Sequence, residues 1–203
     1  MKTIVHKFDL PKDFKATTLS IDTETMGLNL NRDRLCCVQL LVDEQEVHIV
    51  HFPKPIYNKS PNLISLLKDK KIFKLFHFAR FDMLAIYKYL GVLVRNVACT
   101  RILSKITRTF SDRHSLKELC REKLKVDISK NEQSSDWGRN DLTQGQIDYA
   151  AKDVIYLPGI FKALKETTER ENRFHVAQAI FDALPSIIIA EANFFDPIAL
   201  IEH

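Results

Sequence analysis

The run Leu19-Ser20-Ile21-Asp22-Thr23-Glu24 constrains this chain more than any other stretch. Apolar and polar residues alternate, so it reads as a β-strand with Asp22 and Glu24 on one face, closed by a tight turn at Met26-Gly27. Two further apolar runs, Leu35 to Leu41 and Glu46 to Val50, flank the polar turn Asp43-Glu44-Gln45, a hairpin signal without the usual glycine. Three antiparallel strands are expected, with two acids at the end of the first.

The rest of the chain turns helical. Ser60-Pro61 ahead of Leu63-Ile64-Leu66-Leu67 marks a helix start, with proline at the first helical position. Ile72 to Phe76 reads as a short strand, and Phe81 to Leu90 as a helix stopped by Gly91, with Asp82 in its first turn. Ser115 to Glu118 and Thr143 to Gln146 are capping boxes. The second precedes a helical pattern reaching about Leu184, where Pro185 is expected to end it or to set off a last short element. Between the boxes lies Asp127 to Asn140, polar and aperiodic and carrying Trp137, too long for a simple connector and so a candidate functional loop. The class is α/β.

With 203 residues and 45% hydrophobic content, one core and a single domain over 1–203 are expected. A charged fraction of 28% excludes disordered and collagen-like classes. There is no run of about 18 apolar residues, and Met1 to Lys7 lacks a secretory pattern, so a cytoplasmic protein without a membrane partner is expected. Cys36, Cys37, Cys99 and Cys120 show no CxxC spacing and read as reduced core thiols. Thr100 to Lys130 holds nine Lys or Arg against four Asp or Glu, which suits either a polyanion-facing surface or a solvated helix face.

The acids carry the chemistry. Asp22 and Glu24, two apart on a strand, point the same way, so one can bridge two hard cations while the other binds one. Unpaired, they would repel each other at a strand end unless a cation joined them. Tyr149 and Asp153 stand at i and i+4 on one helix face and can serve one site, the phenol holding a water and the carboxylate a metal. In the very apolar approach Leu75 to Asp82, His77, Arg80 and Asp82 are the polar members, and each needs a partner. Hydrolysis of a phosphodiester needs an activated water and compensation at both the attacking and leaving oxygens, which two Mg²⁺ or Mn²⁺ ions about 4 Å apart supply.

Taken together, Asp22-Thr23-Glu24-Thr25, His77-Phe78-Ala79-Arg80-Phe81-Asp82 and Tyr149 through Asp153 resemble, in order, spacing and residue type, the three motifs of the DEDDy branch of the DnaQ-like 3′-5′ exonuclease superfamily. Within it the chain is similar to ribonuclease D reduced to its catalytic domain. Further stretches, namely Asn31 to Cys36, Thr107 to Thr109, Asp112 to His114 and Ile128 to Trp137, are similar to a bacterial subfamily acting on very short RNAs. Cys99-Thr100 departs from the Asp-Thr common in ribonuclease D and leaves the acids intact.

The resemblance implies a ribonuclease H-like mixed five-stranded sheet flanked by helices. It also implies two divalent ions, one held by Asp22, Glu24 and Asp153 and the other by Asp22 and Asp82, with Tyr149 orienting the water. Its implied substrate is a short single-stranded RNA or dinucleotide, with DNA an open alternative, and its implied assembly is a homo-oligomer, a ring-like octamer. An apolar region from Leu184 to Ile201 suits burial in such an interface or within the monomer. Substrate contacts expected by the same likeness are Thr23 at the 3′ end, Leu28 as a wedge between bases, His77 and Arg80. A 5′-phosphate cap is expected from Lys130, Gln133, Ser134, Ser135 and the Trp137 loop. Two other functions remain open: a general exonuclease on longer RNA or DNA, and a non-catalytic nucleic-acid-binding module using the basic segment.

Overall fold

The computed structural model describes residues 1–128, 132 and 134–194. Its centre is one mixed sheet of six strands in the order β1-β4-β3-β2-β5-β6. The first acids lie on β2 (Thr18–Thr25), which pairs antiparallel with β3 (Leu35–Val42) and parallel with β5 (Phe73–Phe76). β3 continues antiparallel into β4 (Glu46–His51), and β6 (Val97–Cys99) closes the far side parallel to β5. The expected hairpin is present: Asp43 and Glu44 take left-handed backbone at φ 47° and 59°, and the Gln45 N–H donates to the Val42 carbonyl. Asp43 supplies what glycine would not, its carboxylate accepting from the backbone and hydroxyls of Thr17 and Thr18.

The expectation of five strands is corrected to six. Neither β1 (Lys2–Lys7) nor β6 was read from the sequence; β1 runs parallel along β4 from Lys2 opposite Glu46 to Lys7 opposite His51. An edge strand half open to solvent needs no strong hydrophobic pattern, because its partner is chosen by a distant stretch of chain.

Helices cover both faces. α1 (Pro61–Lys68) begins at the expected proline, but Ser60 does not cap it; the Ser60 hydroxyl donates to the Phe8 carbonyl. The cap is Asp9, whose carboxylate accepts from the N–H groups of Asn62 and Leu63 at 3.0 and 2.8 Å. α2 (Ala79–Leu90) ends at Gly91 in the left-handed region, as its sequence requires. Beyond β6 come α3 (Thr100–Thr107) and the one-turn α4 (Leu116–Leu119), which continues as a π-helical turn over Cys120–Leu124.

α5 (Gln144–Ile155) opens with the complete Thr143–Gln146 capping box. The long helix expected from there is broken into three. α6 (Leu157–Arg170) restarts at Pro158, which has no N–H to continue the previous helix. α7 (Phe174–Asn193) follows a turn in which Asn172 takes φ 54°, and Pro185 lies inside α7 rather than at its end. By length and composition alone α7 meets the requirement for crossing a membrane. In this fold it packs on α2, α3, α6 and β6 through Ala177, Phe181, Leu184, Pro185 and Ile188.

Two cores result. The larger fills the space between the sheet and α1, α2, α3, α6 and α7; the smaller lies between β3, β4 and α5 and contains Cys36, Cys37, Leu41, Val47, Ile49 and Trp137. All four cysteines are free and buried, as expected of core thiols.

Candidate active site

Alternation along β2 sends Ile21 and Leu19 into the larger core and leaves Asp22 and Glu24 on the side where α5 packs. α5 presents Tyr149 and Asp153 one turn apart. Carboxylate oxygens of Asp22, Glu24 and Asp153 consequently lie within 4.8 Å of one another, close enough to share a cation. Asp82, in the first turn of α2, approaches from the other side of β2 and accepts a 2.6 Å hydrogen bond from the Thr23 hydroxyl in a buried setting. Asp82 therefore stands beside the triad rather than within it.

Electrostatics say the same. Burial pushes the Asp22 carboxyl well above the usual range, and the charges of Asp82, Asp153 and Glu24 push it further. Glu24 is raised in the same way by burial, then by Asp153 and Asp82. Asp82 rises to about 7 through burial, although the hydrogen bonds from Thr23 hold it down. Four acids held together at this cost call for positive charge, and a set made only of carboxylates suits a hard divalent cation. The residues present therefore fit Mg²⁺ or Mn²⁺. Tyr149 donates to Asp153, and burial with the surrounding acids raises its own ionisation far above neutrality, so the phenol keeps its proton.

These groups line a cleft of about 690 Å³. Its lip is the turn after β2. Gly27 packs against Asp33, where a Cβ would sit 2.3 Å from the carboxylate oxygen, and the Thr25 hydroxyl donates to the Gly27 carbonyl. This tight turn throws Leu28 outward, 87% exposed, with Phe78 half exposed nearby.

The other expected contacts divide. Thr23, Leu28, His77, Ser134 and Ser135 line the cleft. His77 bonds the Thr100 hydroxyl at 2.8 Å, and burial lowers its pKa to about 4, so it is a neutral ring. Arg80 is not at the acids: its guanidinium makes a two-pronged pair with Glu191 at 2.6 and 2.8 Å and lines a neighbouring cleft. Trp137 is corrected too. It is 1% exposed and packs against the Tyr149 ring at 6.0 Å, supporting α5 instead of facing the cleft. Lys130 and Gln133 lie outside the described residues, as does the segment from 195 to 201.

The sequence reading missed Phe81, Arg101, Ser115 and Lys117, which also line the cleft. Arg101 lies 4.7 Å from the centre of the Phe78 ring. The charge excess from Thr100 onward contained the signal, but much of it is consumed internally. Arg108 is buried and paired with Glu122, and Arg113 and Lys123 find Glu118 and Glu122.

A family model described as "3'-5' exonuclease" matches residues 9–169. This chain belongs to that exonuclease family. Among solved structures, NrnC (nano-RNase C) of Brucella melitensis bound to pGG is 44% identical, with a TM-score of 0.85, covering 92% of this chain and 91% of that one. The same Brucella protein with bound Mg²⁺ is 43% identical at a TM-score of 0.85 over 92% and 91% of the two chains. Ribonuclease D of Gluconacetobacter diazotrophicus is 35% identical over 156 residues, which are 76% of this chain and 39% of that protein. The exonuclease chain thus spans about two fifths of the length of that relative. Divalent-metal dependence is general in the family, and the Asp22, Glu24 and Asp153 cluster accords with it.

Proposed function

We propose that this exonuclease hydrolyses short RNA from the 3′ end, above all dinucleotides, to nucleoside 5′-monophosphates, using two divalent ions, Mg²⁺ or Mn²⁺. The observation that carries the reading is the convergence of Asp22, Glu24 and Asp153, with Tyr149 bonded to Asp153, in a cleft whose lip is an exposed apolar residue. Asp22, Glu24 and Asp153 would hold one ion and Asp22 with Asp82 the other. Such ions supply charge at the scissile phosphate and lower the pKa of a bound water. Because the Tyr149 phenol stays neutral, it orients the attacking water by accepting a hydrogen bond rather than by removing a proton. The water oxygen forms a bond to phosphorus, the bond from phosphorus to the 3′ oxygen of the preceding nucleotide breaks, and the proton that the water gives up to solvent is balanced by one taken up on that leaving 3′ oxygen. A tyrosine in that role is what assignment to the DEDDy branch, part of this proposal, would require.

Leu28 offers a stacking surface to the terminal bases, which suits sequence-tolerant recognition. Ser134 and Ser135 line the cleft and are our candidates for holding a 5′ phosphate, and Arg101 and Lys117 add positive charge to the same cleft. Support for a two-nucleotide substrate comes from the likeness to the NrnC structure whose name includes pGG. A cytosolic homo-oligomer, read as an octameric ring, belongs to the same proposal.

A second reading, a general exonuclease on longer RNA or DNA, is favoured by one feature. Leu28, Phe78 and Phe81 border both the acid cleft and the neighbouring one, giving a longer strand a path across the ridge. A non-catalytic binding module is disfavoured because every acid of the set is in place. The test is a length series with Mn²⁺. A 5′-phosphorylated dinucleotide should disappear much faster than a seven-mer, whereas equal rates would replace the dinucleotide reading with the general one.

A further inference from the structure

The sheet face beneath α5 carries rows of opposed residues across β2, β3 and β4. One row is Asp22, Gln39 and Ile49; the next is Glu24, Cys37 and His51. Directly opposed residues of antiparallel strands share a face, with Cβ atoms roughly 4.5–5.5 Å apart. Val38 and Leu40 belong to the larger core and Cys37 and Leu41 to the smaller one, so Gln39 faces α5 beside Asp22. Gln39 is wholly buried, at 0% exposure, and among the described residues neither its amide nitrogen nor its amide oxygen has a hydrogen-bond partner.

Leaving a buried donor or acceptor unsatisfied costs on the order of 1–3 kcal/mol, and an apolar side chain of similar shape avoids that cost. The fold alone gives no use for a carboxamide at this position. Its neighbour across the strand gives one. Asp22 is the acid common to both proposed ion sites, and a shared carboxylate must be held in a single rotation to present an oxygen to each. The terminal torsion of glutamine is soft, so the amide can turn to a neighbour one strand away.

We propose that Gln39 is a positioning residue for Asp22: its amide nitrogen donates to the Asp22 carboxylate and fixes its rotation when the cleft holds metal. This rests on the metal-dependent reading of the site given above. Outer partners of this kind typically change metal affinity by about 10- to 100-fold when removed.

The test is Mn²⁺ binding to substrate-free protein by titration calorimetry, with the melting temperature of the metal-free protein measured alongside. Gln39→Met keeps the length and removes both polar atoms. Its expected behaviour is a metal-free melting temperature equal to or above wild type, with Mn²⁺ affinity about tenfold weaker or more. Activity should fall at limiting Mn²⁺ and recover at high Mn²⁺. Gln39→Leu should repeat the pattern. An Mn²⁺ affinity within twofold of wild type in a folded variant would overturn the inference while leaving the proposed function standing. Failure of both variants to fold would assign Gln39 to packing and overturn it as well. Absence of Mn²⁺ binding by the wild type would overturn the metal-dependent reading itself, a distinguishable result.

Discussion

Replacing Asp82 by asparagine should make the metal-free protein more stable and the enzyme inactive. Burial raises the Asp82 carboxyl from 3.8 to about 7. Between those values the folded state binds a proton that the unfolded state has released, so Asp82 lends stability at low pH that is lost as pH rises through about 7. A shift of about three units at 1.36 kcal/mol each amounts to about 4 kcal/mol.

Asparagine keeps the shape and still accepts from the Thr23 hydroxyl, but it carries no charge to desolvate. In chelator, the stability gained by Asp82→Asn should be near zero at pH 4 and grow to about 4 kcal/mol above pH 7. For a domain of this size that corresponds to roughly 8–16 °C in melting temperature. The buried histidines, whose pKa values burial lowers, bend the wild-type profile in the opposite sense at acid pH. They are common to both proteins and cancel in the difference. The assay is thermal unfolding across pH 4–9 with and without Mn²⁺, and saturating Mn²⁺ should reverse the order by stabilising only the wild type strongly. A variant less stable than wild type at pH 7.5 in chelator, or a difference independent of pH, would refute the reasoning.

Other expectations follow from the same geometry. Tyr149→Phe should leave Mn²⁺ affinity near wild type, by calorimetry, while lowering kcat by about 100-fold or more, because in the proposed mechanism the protonated phenol acts on water and not on metal. Leu28→Ala should raise KM for a dinucleotide by about 10-fold or more, the equivalent of the roughly 1.5–3 kcal/mol of covering a leucine side chain, and leave urea unfolding unchanged, since the side chain is exposed. Trp137→Ala should instead cost about 3–5 kcal/mol in urea unfolding, because the indole is buried under α5.

What the sequence disclosed was local. Alternation along β2 put Asp22 and Glu24 on one face, helical spacing joined Tyr149 to Asp153, and Gly91 and the Thr143 box marked helix ends where the structure has them. What it hid depends on partners far along the chain. β1 finds its ladder on β4 only when folded, and α1 takes its cap from Asp9, 53 residues from Asn62. Arg80 pairs with Glu191, 111 residues away, a partner that its local motif does not reveal. Trp137 looked functional because it sat alone in a polar loop, yet the groove it fills belongs to β3, β4 and α5. Pro185 reads as a stop in one dimension, whereas packing of α7 on its neighbours tolerates the missing hydrogen bond.

The most direct measurement of the central claim is product analysis on 3′-labelled RNA with Mn²⁺, comparing wild type, chelated wild type and Asp22→Ala. The account predicts labelled nucleoside 5′-monophosphate from the wild type alone. Full hydrolysis by Asp22→Ala, or undiminished hydrolysis in chelator, would contradict it.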